Sequence, residues 1–63
     1  MKTKDIRNGS LYLNEAKERV ERVRSKANSS SVFTTVHGAE LTLVPASVLS
    51  LASGKQCNDY LGI

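Results

Sequence analysis

His37 and Cys57 are the only histidine and the only cysteine of the chain, so they are the only pair that could supply a base and a sulfur nucleophile. A thiol needs a neighbouring base or positive field to become a thiolate at neutral pH. The sequence offers no third residue to orient such a pair, and a histidine before a glycine reads first as a turn residue. A metal site assembled from His37, Glu40, Cys57 and Asp59 would have to draw on separate segments, without the paired Cys/His spacing of zinc sites. Gly9, Gly38, Gly54 and Gly62 stand alone, so no glycine-rich phosphate loop is present. These readings predict no enzyme, no cofactor and no metal.

Charge is the feature with most functional colour. The formal net charge is +3. Residues 1–28 carry eight Lys/Arg against four Asp/Glu, whereas residues 29–63 carry Lys55 against Glu40 and Asp59. Lys17, Arg19, Arg22, Arg24 and Lys26, with Lys2, Lys4 and Arg7 nearby, could neutralise phosphates, and such binding weakens steeply with salt. Glu15, Glu18 and Glu21 interleave with them, a pattern usual for a solvated helix face. Aromatics able to stack on bases are confined to Tyr12, Phe33 and Tyr60, which argues against single-strand binding.

These side chains must be positioned by a short chain. With 63 residues there is room for one domain, and its buried fraction is small. Such scaffolds are commonly supplemented by disulfides, metals or self-association. A single cysteine allows no internal disulfide and suits a reducing compartment. The charged start Met1-Lys2-Thr3-Lys4-Asp5 has no apolar run behind it. The stretch Leu41–Ala52 is far shorter than the roughly 20 apolar residues of a membrane span. The expectation is a cytoplasmic protein that binds a partner or forms a homo-oligomer.

Asn8-Gly9 predicts a turn, followed by a short strand at Ser10–Leu13. Asn14 is a good N-cap, and the Glu, Ala, Lys and Arg content predicts a helix over residues 15–27. Ala16, Val20, Val23 and Ala27 would form its apolar stripe. Glu15–Arg19 and Glu18–Arg22 would be its i,i+4 ion pairs. Val32–Val36 and Ala39–Leu43 predict a hairpin around His37-Gly38. Pairing Val36 with Ala39, Thr34 with Leu41 and Val32 with Leu43 places most apolar residues on one face. Phe33, Thr35, His37, Glu40 and Thr42 then occupy the other. Pro45 suits the start of a short helix over Ala46–Ser53, ended by Gly54. Residues 1–9 and 55–63 are expected to be loose. The order is β-α-β-β-α, an α+β domain with a central antiparallel hairpin.

A second reading comes from likeness. Leu11-Tyr12-Leu13-Asn14, the Val20 and Val23 pair, and Thr34-Thr35-Val36-His37-Gly38 followed by Leu43-Val44-Pro45-Ala46-Ser47 resemble short all-β, SH3-like barrel proteins. The small FlbD-type flagellar proteins are among these, and the likeness spans residues 10–50. It implies a strand at residues 18–26. In a strand, Val20 and Val23 would face opposite ways, which favours the helix.

On this reading the chain is a non-enzymatic interaction module, adaptor or inhibitor-like, that binds another protein and self-associates. Phe33, on the face away from the core, and the tail residues Tyr60, Leu61 and Ile63 are the candidate protein contacts. The alternative is a small basic regulator that binds DNA or RNA through residues 17–26.

Overall fold

The computed structural model describes residues 1–63. Five strands follow one another along the chain: β1 (Leu11–Asn14), β2 (Arg19–Lys26), β3 (Ser31–Thr35), β4 (Thr42–Pro45) and β5 (Leu49–Leu51). A single helix, α1 (Gly54–Leu61), closes it. The strands form one antiparallel sheet in the order β4-β3-β2-β1-β5, so hairpins join β1 to β4 and β5 returns to the free edge of β1. One-turn 3-10 helices occupy Thr3–Asp5 and Ala46–Val48. The result is a small α+β domain.

The largest departure from expectation is β2. Residues 15–27 do not form a helix; residues 15–18 are a tight loop and Arg19–Lys26 is the longest strand. Helix propensity is a weak preference, a fraction of a kcal/mol per residue, and β2 instead pairs on both sides, with β1 and β3. The two valines do face opposite ways, as strand geometry requires. Both faces are put to use: Val23 is fully buried in the core and Val20 is half-buried on the other side. The local signal at Asn14 is nonetheless real. Its Oδ1 accepts from the Ala16 and Lys17 amides at 3.0 and 3.1 Å. That turn does not propagate, because Glu18 adopts a left-handed φ of 53° and leads the chain back into β2.

The hairpin of β3 and β4 turns where expected but pairs differently. His37 and Gly38 have φ of 53° and 76°, and the Ala39 amide donates to Val36 O at 3.0 Å. This is the type I′ geometry suited to a two-residue turn. Beyond it the pairs are Thr34↔Thr42, Phe33↔Leu43 and Val32↔Val44. The expected pairs Thr34–Leu41 and Val32–Leu43 are thus off by one residue, because an extra residue is accommodated on the β4 side before Thr42. A slip of one exchanges the faces of a strand. Val44 is therefore buried, while Leu41 and Leu43 are exposed.

The helix expected over Ala46–Ser53 is likewise replaced. After one 3-10 turn the chain extends again as β5, placing Leu49 in the core and pairing it with Asn14. The helix starts later, in the segment expected to be loose. The Ser53 hydroxyl accepts from the Gln56 amide at 3.1 Å, and the Gln56 side chain accepts from the Ser53 amide at 2.8 Å. This reciprocal capping box starts the helix, and Gly62, at φ 77°, ends it. Gly54 is its first residue rather than a terminator.

The core comprises Ile6, Tyr12, Val23, Val32, Val44, Ala46 and Leu49. Ile6 draws the N-terminal segment into it, and the Arg7 amide donates to the Tyr12 hydroxyl at 2.8 Å. At Glu18, the left-handed backbone disfavours most side chains, but asparagine tolerates it well. Glu18→Asn is expected to raise the melting temperature by a few degrees, equivalent to up to about 1 kcal/mol, as read by thermal circular dichroism. A lower melting temperature would contradict the strained-turn assignment.

Candidate interaction surface

The sheet has two faces with different chemistry. Its inner face contains a carboxylate: Glu21 is 1% exposed. Isolated charges are costly to bury, so such a group must be fully hydrogen-bonded. Glu21 accepts from Asn14 Nδ2 at 3.2 Å, from Thr34 Oγ1 at 2.9 Å and from Arg19 Nε at 2.6 Å. The donors come from β1, β3 and β2 itself. Burial alone pulls the Glu21 pKa up, but the hydrogen bonds from Arg19, Asn14 and Thr34, with the Arg19 charge, outweigh it and hold the pKa below its ordinary value. The inner face is polar here, which explains why Thr34 and Thr42, rather than Leu41, meet across the hairpin.

The outer face can be read as three rows from the strand pairings. The first, Leu13↔Val20, continues to Val36 and His37 and lies under α1, with Gln56 and Tyr60 lining the same crevice. Tyr60 fastens the helix there. Its ring stacks on His37 at 4.2 Å, its hydroxyl accepts from the His37 amide at 2.7 Å, and the Arg22 guanidinium lies 5.9 Å from its centroid. The second row is Leu11↔Arg22↔Thr35. The third is Ser25↔Phe33↔Leu43. Phe33 is half-buried and Leu43 is 56% exposed. A cross-strand apolar pair thus lies on the part of the outer face that α1 does not reach.

The edge of β4 limits how a partner can engage. The Ala46 amide donates to Ser30 O at 2.8 Å, in phase with the Val32↔Val44 and Thr34↔Thr42 pairs. Main-chain groups alternate sides along a strand, so Leu43 directs its amide and carbonyl to the open edge. Pro45 shares that phase, where its missing N–H breaks no ladder bond and blunts the edge. A partner therefore has the Phe33–Leu43 side chains and little free backbone to meet.

The five expected nucleic-acid contacts are not gathered on one helix face. Lys17 sits in the β1–β2 loop. Arg19 is engaged by Glu21. Arg22 donates to Gly9 O at 2.6 Å. Arg24 is the extra residue of a β-bulge, where the pairs shift from Val23↔Thr34 to Ser25↔Phe33. Lys26 ends the strand and is exposed. Of the expected protein contacts, Tyr60 is used within the domain, whereas Leu61 and Ile63 are exposed at the end of α1. Cys57 is half-buried on α1, and the side chain stacked on His37 is Tyr60. The sequence reading missed Glu21 as a buried residue and Leu43 as an exposed one, both consequences of the helix and register expectations. No helix is long and apolar enough to cross a membrane, and no group of three or more His, Cys, Asp or Glu side chains converges as a metal site would require. Comparison with protein-family models, curated proteins and solved structures returned no match.

Glu21 gives the stability a pH dependence of defined sign. Its folded-state pKa is lowered, so its contribution is complete above the unfolded value of about 4.3 and is lost as pH falls through the folded value. Glu21→Gln removes that titration and the ion pair. Urea unfolding should show the variant destabilised by on the order of 1–3 kcal/mol at neutral pH, and its stability should fall less steeply than that of the wild type in acid. Parallel pH profiles would contradict the assignment.

Proposed function

We propose that the domain is a non-enzymatic interaction module that binds protein through the outer face of its sheet, with a second copy of the chain as its first partner. The observation that carries the reading is the Phe33–Leu43 pair, with Leu43 more than half exposed on the area α1 leaves open. Exposed apolar surface of this kind marks association sites on small proteins. The seven-residue core supports the same reading, because association adds burial that a short chain lacks. Arg24 is an exposed cation at the bulge beside Ser25, and neither β3 nor β4 contains a carboxylate, so the rim of this face also suits an acidic partner; Lys26, paired with the buried Val32, belongs to the other face. As to fold, we read the five-stranded antiparallel sheet, with a bulge in β2 and a 3-10 turn before its last strand, as an SH3-like barrel that has gained a C-terminal helix.

A nucleic-acid role ranks second. It would rest on Lys17, Arg24 and Lys26, because Arg19 and Arg22 already have internal partners.

Leu43→Ser removes the outward apolar side chain without touching the core. Sedimentation equilibrium should show wild-type association in the micromolar range, weakened at least about tenfold, or 1.4 kcal/mol, by this substitution. Leu61→Ser, at the far end of α1, should leave it unchanged. A monomer at every concentration, or equal association of wild type and Leu43→Ser, would sink the self-association reading.

A further inference from the structure

The largest concavity of the molecule lies away from the Phe33–Leu43 face, and its lining has a different character. A cleft of about 740 Å³ opens between the N-terminal 3-10 turn, the loop joining β2 to β3, and the start of the 3-10 turn after β4. This is within the range of small-molecule sites, about 300–1,000 Å³. Its walls bring Lys2 and Lys4 together with Thr3, Ser29, Ser31 and Ser47, and no Asp or Glu lines it. Neither lysine has an ion-pair partner, since the one salt bridge joins Arg19 to Glu21. Thr3 is 8% exposed and its buried hydroxyl makes no hydrogen bond. That oxygen is closed to the cleft as well as unpaired, so the polar groups a bound molecule could meet are those of the lysines and serines. Within the neighbouring loop, only Ser30 commits its hydroxyl inside the protein, to Asn28 Oδ1 at 3.2 Å.

We propose that this cleft binds a small phosphorylated, non-aromatic molecule. Two ammonium groups provide the charge complement for a phosphate, and the serine hydroxyls provide donors and acceptors for a polyhydroxylated body. No aromatic side chain lines the walls, so nothing there would stack on a nucleobase. This favours a sugar phosphate over a nucleotide or a nucleic-acid strand.

The test is amide chemical-shift mapping of the full chain at low salt, titrated separately with glucose 6-phosphate, glucose, inorganic phosphate and mixed-sequence DNA. Glucose 6-phosphate should give saturable shifts at Thr3, Ser29–Ser31 and Ser47, with tighter binding than inorganic phosphate and none by glucose. The Lys2→Ala/Lys4→Ala double variant should keep the core resonances and lose affinity at least fivefold. Absence of saturable shifts, undiminished affinity in the double lysine variant, or shifts at these amides with DNA alone would overturn the proposal. Equal binding of inorganic phosphate and glucose 6-phosphate would overturn its sugar part.

Discussion

A carboxylate inside the sheet sets the terms for the rest of this fold. Glu21 is buried on the central strand, and it is tolerable there only because Asn14, Arg19 and Thr34 all donate to it. Those donors lie on three adjacent strands, so the requirement to satisfy one charge fixes the mutual register of β1, β2 and β3. Asn14 does more, since its Oδ1 also accepts the first amides of the β1–β2 loop. The same side chain thereby ties a turn to the interior of the sheet. A network of this kind is specific because a half-satisfied version is costly.

From that constraint the two faces acquire their characters. The inner face combines the carboxylate and threonines at one place with valines, Tyr12 and Leu49 at another. The outer face is divided between an area covered by α1, pinned by the Tyr60–His37 stack, and an area left to Phe33 and Leu43. Pro45 blunts the β4 edge, so side chains rather than main-chain pairing are available for contact. The cleft beside Thr3 is chemically separate from both, its lysines and serines set among Met1, Pro45 and Ala46 with no carboxylate.

What the sequence made legible was local. Asn8-Gly9, the His37-Gly38 turn, the strand before Asn14 and the outward placement of Phe33 follow from short-range residue chemistry. The Ser53-x-x-Gln56 capping box that starts α1 goes unread, because Gly54 reads as a helix end and the polar composition after it suggests a loose tail. The helix expected at residues 15–27 failed for a physical reason. Its glutamates look like the polar side of a helix until one of them finds donors 7 and 13 residues away in the chain. Non-local hydrogen bonds leave no periodic trace, so neither the burial of Glu21 nor the slip that turns Leu43 outward could be read from pattern alone. The loss of that register also hid the apolar pair on which the functional reading rests.

Amide resonances followed across a concentration series would locate the surface through which the chain meets another copy of itself. Concentration-dependent shifts or broadening confined to Ser25, Phe33, Leu43 and their neighbours, with α1 and the core unchanged, is the outcome that association through the outer face requires. Resonances that do not respond to concentration, or a response centred on Leu61 and Ile63, would contradict it.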